Sequence, residues 1–247
     1  MMGSRCWDEI LEDVPLVSTL DELFTLWREA HESEDDCMET TLCPGVEQAS
    51  FVADGYICKD SYESSPTRIL FILKEANVLH DVDPKPAAER SQYGYYQAYL
   101  SAGKDNRPKQ LEKMGRMACY ILNKAENPTD AEIKAALKQS AFMNLNKRGG
   151  GAAADNTKLD AYRCKYAAFI KKQIELLNPQ VIICLGTHKG ALACEPRIEK
   201  EGLIPALDMY HTAPIGKREM AVPAYMQLFV ERYCSREQPK SYWSCKT

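Results

Sequence analysis

Three short runs, far apart in the chain, each end an apolar or aromatic stretch at residues able to read or polarise a small planar ligand. The first is Arg68-Ile69-Leu70-Phe71-Ile72-Leu73 followed by Lys74-Glu75-Ala76-Asn77. The second is Phe142-Met143-Asn144-Leu145-Asn146-Lys147, and the third Tyr210-His211-Thr212-Ala213-Pro214. In open α/β sheets ligands sit beyond the carboxyl ends of the strands, so three such endings point to one crevice shaped for a nucleobase. Glu75 and Asn77 offer ligand contacts there, and Asp81 lies close enough in sequence to act on a water. The competing role for this run is to cap the next helix. Asn144 carries both a donor and an acceptor, which suits the imide edge of a pyrimidine. Equally, its amide can be consumed by neighbouring backbone, because leaving it unpaired costs roughly 1–3 kcal/mol. His211 can donate to a carbonyl oxygen that gains charge as a bond breaks, or be a satisfied histidine in a turn. Asn146, Lys147 and Arg148, ahead of Gly149-Gly150-Gly151, favour a phosphate, although the order of a P-loop is absent.

The elements that must position these residues follow from periodicity. Residues 16–30 have helical apolar spacing, with Ser18 or Thr19 as the cap. Residues 35–66 are rich in Cys, Pro, Gly and Ser and read as an irregular segment that accommodates short strands. Strands are expected at 68–73, 141–145, 181–185 and 207–210. Helices are expected at 109–123, 130–138, 159–177 and 220–233, and 237–247 is a polar tail. This alternation predicts an α/β fold: a three-layer α/β/α sandwich around a central, mostly parallel, four-stranded sheet, in a single domain.

Composition narrows the function classes. The chain has 247 residues, 45% hydrophobic and 27% charged, with a net charge of −4. That charge argues against a surface uniformly coated for nucleic acid and leaves room for a local basic groove. No apolar run approaches the roughly 20 residues that cross a bilayer, and acids near the N-terminus do not suit a signal peptide, so a cytoplasmic protein is expected. Ten cysteines in a reducing compartment point away from disulfides and toward a metal site. Cys119 and Cys184 lie in apolar patterns and are expected to pack as small hydrophobes.

These residues resemble the uracil-DNA glycosylase superfamily, most closely its iron–sulfur type of bacteria and archaea. That type has a strand ending Gly-Glu-Ala-Pro-Gly followed by acids, matched by Lys74-Glu75-Ala76-Asn77-Val78 with Asp81 beyond. It then has Asn-x-x-Lys, matched by Asn144 to Lys147, and Pro-x-Val-Ile-x-x-Leu-Gly, matched by Pro179 to Gly186. Its Tyr-His-Pro is matched by Tyr210-His211-Thr212. The similarity spans residues 20–233. Lys74, Asn77 and Thr212 depart from the family's Gly, Pro and Pro, and the insertion between Asp81 and Ala141 is longer.

The resemblance implies a DNA repair glycosylase that hydrolyses the N-glycosidic bond of a flipped uracil or other deaminated base. Catalysis would fall to His211, Asp81 and Glu75: His211 stabilises O2 of the departing base and Asp81 positions the water. Asn144 would read the base, Glu75, Ala76 and Asn77 would wall its pocket, and Tyr95, or its neighbours Tyr93 and Tyr96, would stack on it. A helical row of tyrosines also serves plain packing. Lys74, Asn146, Lys147, Arg148 and Lys217 would hold DNA phosphates. The family's [4Fe–4S] cluster uses four cysteines; the nearest set here is Cys37, Cys43, Cys58 and Cys164, with Arg148 where the third is expected and reduced, unrelated thiols as the alternative. No nucleotide cofactor is implied, and the partner is DNA, bound by a monomer. The competing function is a nucleic-acid or nucleotide binder that keeps the pocket without the chemistry.

Overall fold

The computed structural model describes residues 5–33, 51–77, 100, 109–150, 155–187, 204, 206–209 and 220–235. The sheet contains β1 (Gly55–Tyr56), β2 (Ile69–Asn77), β3 (Ser140–Gly150), β4 (Val181–Leu185) and β5 (Ala206–Met209) in the order β1-β3-β2-β4-β5. β2, β3, β4 and β5 run parallel, and β1 joins antiparallel at the β3 margin. The fold is therefore α/β with a mostly parallel sheet, as the strand–helix alternation predicts. Among the described residues the sheet has five strands rather than four. The extra one has two residues and comes from the Cys-, Gly- and Ser-rich segment, too short to produce a period-2 signal.

Side chains alternate across the sheet and build a core on each face. On one face Leu70, Ile72, Met143, Leu145, Ile182 and Cys184 meet Trp7 of α1 (Trp7–Asp13), Phe24 and Trp27 of α2 (Leu20–Glu32), and Phe169 and Ile174. On the other Ile69, Phe71, Leu73, Phe142, Ile183 and Leu185 meet Leu111 and Met114, Ile133 and Leu137, and Tyr225 and Phe229. Those last pairs belong to α4 (Lys109–Asn123), α5 (Asp130–Lys138) and α8 (Val222–Ser235), whereas α3 (Lys59–Glu63) follows β1. Two covered faces explain why the central strands read as continuous apolar runs.

Local sequence sets the boundaries. Thr19, not Ser18, caps α2: its Oγ1 accepts from Glu22 N at 3.2 Å, and Glu22 Oε2 accepts from Thr19 N at 3.1 Å. The helix expected over residues 159–177 is two helices, α6 (Asn156–Lys165) and α7 (Ala167–Leu177), broken at Tyr166 with φ −98° and ψ 20°. The break lets Tyr166 pack against Trp7 at 5.2 Å, Tyr162 at 4.4 Å and Trp27 at 6.1 Å between ring centres. Aromatic packing outweighs helix continuity there. β4 ends at Gly186, whose φ of 71° turns the chain so that Thr187 Oγ1 donates to Ile72 O at 2.8 Å.

α4 and α5 touch through Gly115. A Cβ there would lie 2.4 Å from Ile133 Cγ2 and 3.3 Å from the Ile133 carbonyl oxygen. Gly115→Ala gains up to about 1 kcal/mol of helix propensity, but overpacking costs about 1–3 kcal/mol. A lower urea midpoint for Gly115→Ala is expected, and an unchanged or raised midpoint would show that the two helices separate freely.

Candidate functional site

The register of the central strands decides which polar groups share a face. Leu73 pairs with Asn144 and Glu75 with Asn146 across the parallel β2–β3 ladder. Directly paired residues of parallel strands project to the same side. Leu73 belongs to the second core, so Glu75, Asn144 and Asn146 project to that side at the carboxyl ends of two adjacent strands. Beyond Glu75 the pairing slips, and Asn77 pairs with Gly150.

Glu75 is the reactive-looking member of this group. Its side chain is half-buried, and its Oε2 is buried with no hydrogen-bond partner among the described residues. Burial pushes its pKa from 4.5 up to about 7, and the neighbouring Lys74 ammonium opposes the shift. A carboxyl titrating near neutrality can either give or take a proton at working pH. Lys74 is partly exposed and its Nζ donates to Asn156 Oδ1 at 2.9 Å, tying the end of β2 to the first turn of α6. Ala76 is nearly buried, and Asn77 is the last residue of β2.

Asn144 is held by a residue that sequence reasoning missed. Asp54 lies just before β1, and its Oδ2 accepts from Asn144 N at 2.7 Å and Asn144 Nδ2 at 3.2 Å. Lys147 Nζ donates to Asp54 Oδ1 at 2.6 Å, to Asp54 Oδ2 at 2.7 Å and to Asn144 O at 2.9 Å. Gln173 Nε2, from α7, donates to Asp54 Oδ1 at 2.7 Å. All four residues are buried, with Asp54 1% exposed and Asn144, Lys147 and Gln173 wholly enclosed. The ammonium also lies 5.2 Å from the ring centre of Trp27 and 5.9 Å from that of Phe24. Desolvation lowers the Lys147 pKa, and Asp54 works in the opposite direction. Lys147 and Asp54 thus form a buried ion pair beside Phe24 and Trp27 of the first core, and Asn144 and Gln173 hydrogen-bond to its carboxylate.

Lys147 thus has no surface for a phosphate: its charge is neutralised in the interior. Arg148 is 1% exposed, its backbone N donating to Asn146 Oδ1 at 2.8 Å, and Asn146 is wholly buried. Of the phosphate contacts expected from sequence, Lys74 alone is partly exposed among the described residues. His211, Asp81, Tyr95 and Lys217 lie outside the described residues, as do Cys37 and Cys43. The Asp54 signal was an acid amid Phe51-Val52-Ala53 and Gly55-Tyr56. For Gln173 it was an amide on the apolar stripe of Phe169, Ile170, Ile174 and Leu177.

Of the four cysteines expected at one metal centre, Cys58 and Cys164 lie among the described residues. Cys58 directly precedes α3, where its Sγ accepts from Ser61 Oγ at 3.1 Å, and Tyr62 of the same helix donates through its hydroxyl to Leu177 O. Cys164 is exposed on α6. Among the described residues no group of three or more His, Cys, Asp or Glu is disposed to hold a metal. Cys119 and Cys184 are fully buried, as their apolar settings predict.

No family model, curated protein or solved structure matches the chain. The functional reading therefore rests on the residues themselves. Among the described residues no helix is long and apolar enough to cross a membrane.

Proposed function

We propose that the protein is a DNA glycosylase-like enzyme, cytoplasmic and monomeric, that hydrolyses the N-glycosidic bond of a flipped uracil or other deaminated base. The observation that carries this reading is the shared face of Glu75, Asn144 and Asn146 at the ends of the two central parallel strands. Breaking an N-glycosidic bond leaves negative charge on the base and positive charge on the sugar. Donors on the base and a carboxylate near the sugar both lower that barrier. Glu75 supplies a carboxyl of suitable pKa, and Asn144 an amide for the base edge. Asp81 and His211 are assigned to the water and the base oxygen on the sequence pattern alone. Extrusion of the nucleotide explains why such groups lie at the bottom of a strand-end crevice.

The test is incubation of pure, folded protein with oligonucleotides bearing uracil, hypoxanthine or xanthine, followed by alkaline cleavage of abasic sites. Strand scission at one or more of these bases, and none at undamaged ones, is the expected result. Intact strands with every substrate would reject catalysis.

A second reading is favoured by the burial of Asn144 and Lys147 around Asp54: a nucleic-acid or nucleotide binder that uses the Asn-x-x-Lys run as an internal brace. Salt-sensitive oligonucleotide binding without turnover would select it.

A further inference from the structure

We propose that His31 is an acid-operated latch: when its ring becomes an imidazolium it leaves its place in the core, and residues 51–57, with Asp54, come away from β3. His31 lies in the last turn of α2 and is 2% exposed. Phe51, Tyr162 and Tyr166 wall the ring, at 5.5, 5.7 and 5.0 Å between ring centres. Its Nε2 shares a hydrogen bond of 2.8 Å with the Tyr162 hydroxyl. Its Nδ1 is buried with no hydrogen-bond partner among the described residues. The end of α2, the strap formed by residues 51–57 and the α6–α7 break therefore meet on one imidazole.

A neutral ring suits that cage and a charged one does not. An imidazolium donates from both nitrogens. Tyr162 can accept one of those bonds, while the other N–H is buried without an acceptor among the described residues. The charges bearing on the ring are cationic: in decreasing order Arg148 of β3, Lys165 of α6, Arg28 of α2 and Lys147 of β3. Acids on the same elements are engaged or face solvent. Asp54 holds Lys147, Glu29 lies 3.6 Å from Arg5 and Asp160 3.4 Å from Arg163, and Glu32 is exposed. The carbonyl end of α2 favours a cation. Burial is the larger effect, and with the four cations it holds the ring well below its usual pKa of 6.5. Once released, the ring titrates normally, so below pH 6.5 the open form binds a proton that the closed form refuses. The closed form is thus fully stable above that pH and weakens as the pH falls.

The strap is the element with least to hold it. Val52 N donates to Lys147 O, Phe51 makes a single bridge to Arg148, and β1 adds two residue pairs. β2, by contrast, is paired with β3 on one side and β4 on the other. Local opening follows the weaker set of bonds. Because Asp54 travels with the strap, opening removes the counter-ion of Lys147 and the carboxylate that accepts from Asn144. Acid thereby dismantles the brace beneath the strand ends, and does so independently of the glycosylase reading.

The experiment compares backbone hydrogen exchange at pH 7.5 and pH 5.5, corrected for the intrinsic rate, in wild type and His31→Gln. Glutamine keeps a hydrogen-bonding side chain and cannot take up the proton. In wild type the opening constant of the Val52 amide is expected to rise about tenfold at the lower pH, the ratio for one group of pKa near 6.5 that titrates only when open. In His31→Gln the rise is expected to stay below about twofold, as it is for the Ile72 and Ile183 amides of the central strands in both proteins. A flat response at Val52 in wild type would overturn the latch. So would a rise undiminished in His31→Gln, which assigns the response to another group such as Asp54. A rise shared by Ile72 and Ile183 would overturn it in favour of global unfolding.

A second measurement needs no variant. In wild type with nitrogen-labelled histidine, the His31 ring is expected to keep its neutral-imidazole shifts down to pH 5.5 while the protein stays folded. Titration of that ring near pH 6.5 with the fold intact would refute the latch.

Discussion

Lys147→Met is expected to cost about 3–5 kcal/mol of folding stability, the usual consequence of removing one partner of a buried ion pair. Methionine fills a similar volume, so the loss does not come from a cavity. It comes from Asp54, whose carboxylate keeps the Asn144 and Gln173 donors but loses the Lys147 ammonium. If that account is right, adding Asp54→Asn to Lys147→Met should restore part of the loss, about 1 kcal/mol or more, because the uncompensated charge is gone. Urea titrations of the two single variants and the double variant measure the coupling. A loss below about 1 kcal/mol for Lys147→Met would show that the ammonium is hydrated in solution rather than enclosed.

Glu75→Gln is expected to stabilise the protein above neutral pH and to leave it unchanged in acid. The folded carboxyl titrates at about 7 against 4.5 when unperturbed. Below pH 4.5 both folded and unfolded chains hold the proton, and burial carries no penalty. Between 4.5 and about 7 the unfolded chain releases it first, so stability falls as pH rises. Above 7 the folded chain carries an ionised, poorly solvated carboxylate at a cost of at most about 3 kcal/mol, since the side chain keeps some contact with water. The neutral amide of glutamine avoids that cost. Urea midpoints of wild type and variant should coincide at pH 4 and separate by pH 8, and parallel profiles would place Glu75 in solvent. Under the glycosylase reading the same substitution removes a proton-carrying group, so higher stability should come with lower turnover.

Such opposition between stability and use is what sequence reasoning can detect only in part. The central strands were legible because two covered faces demand apolar runs, and residues 69–73, 141–143 and 181–185 supply them. Ser18 and Thr19 both offered a cap for α2, and the structure uses Thr19. Tyr166 did not announce a break, because its aromatic neighbours come from α1 and α2, remote in sequence. The strand endings at Glu75 and Asn144 were legible as a polar interruption of an apolar pattern, and the ladder register brings them together. What Lys147 does was not. A lysine after a strand reads as solvated until its counter-ion is known, and Asp54 lies 93 positions away in a segment without periodicity. Pairings of that length are fixed by the tertiary fold and leave no local trace.

The stretch from Phe51 to Ile57 has a consequence for solubility. Val52 N donates to Lys147 O, Phe51 bridges to Arg148, Gly55 and Tyr56 pair with Phe142 and Ala141, and Ile57 N reaches Ser140 O. These bonds run along nearly the whole outer side of β3, which would otherwise present a long template for intermolecular pairing. The covering strand is only two residues long. A neighbouring molecule that tried to extend the sheet from this side would find almost nothing to zip onto, so aggregation by strand addition is blocked here by brevity rather than by charge.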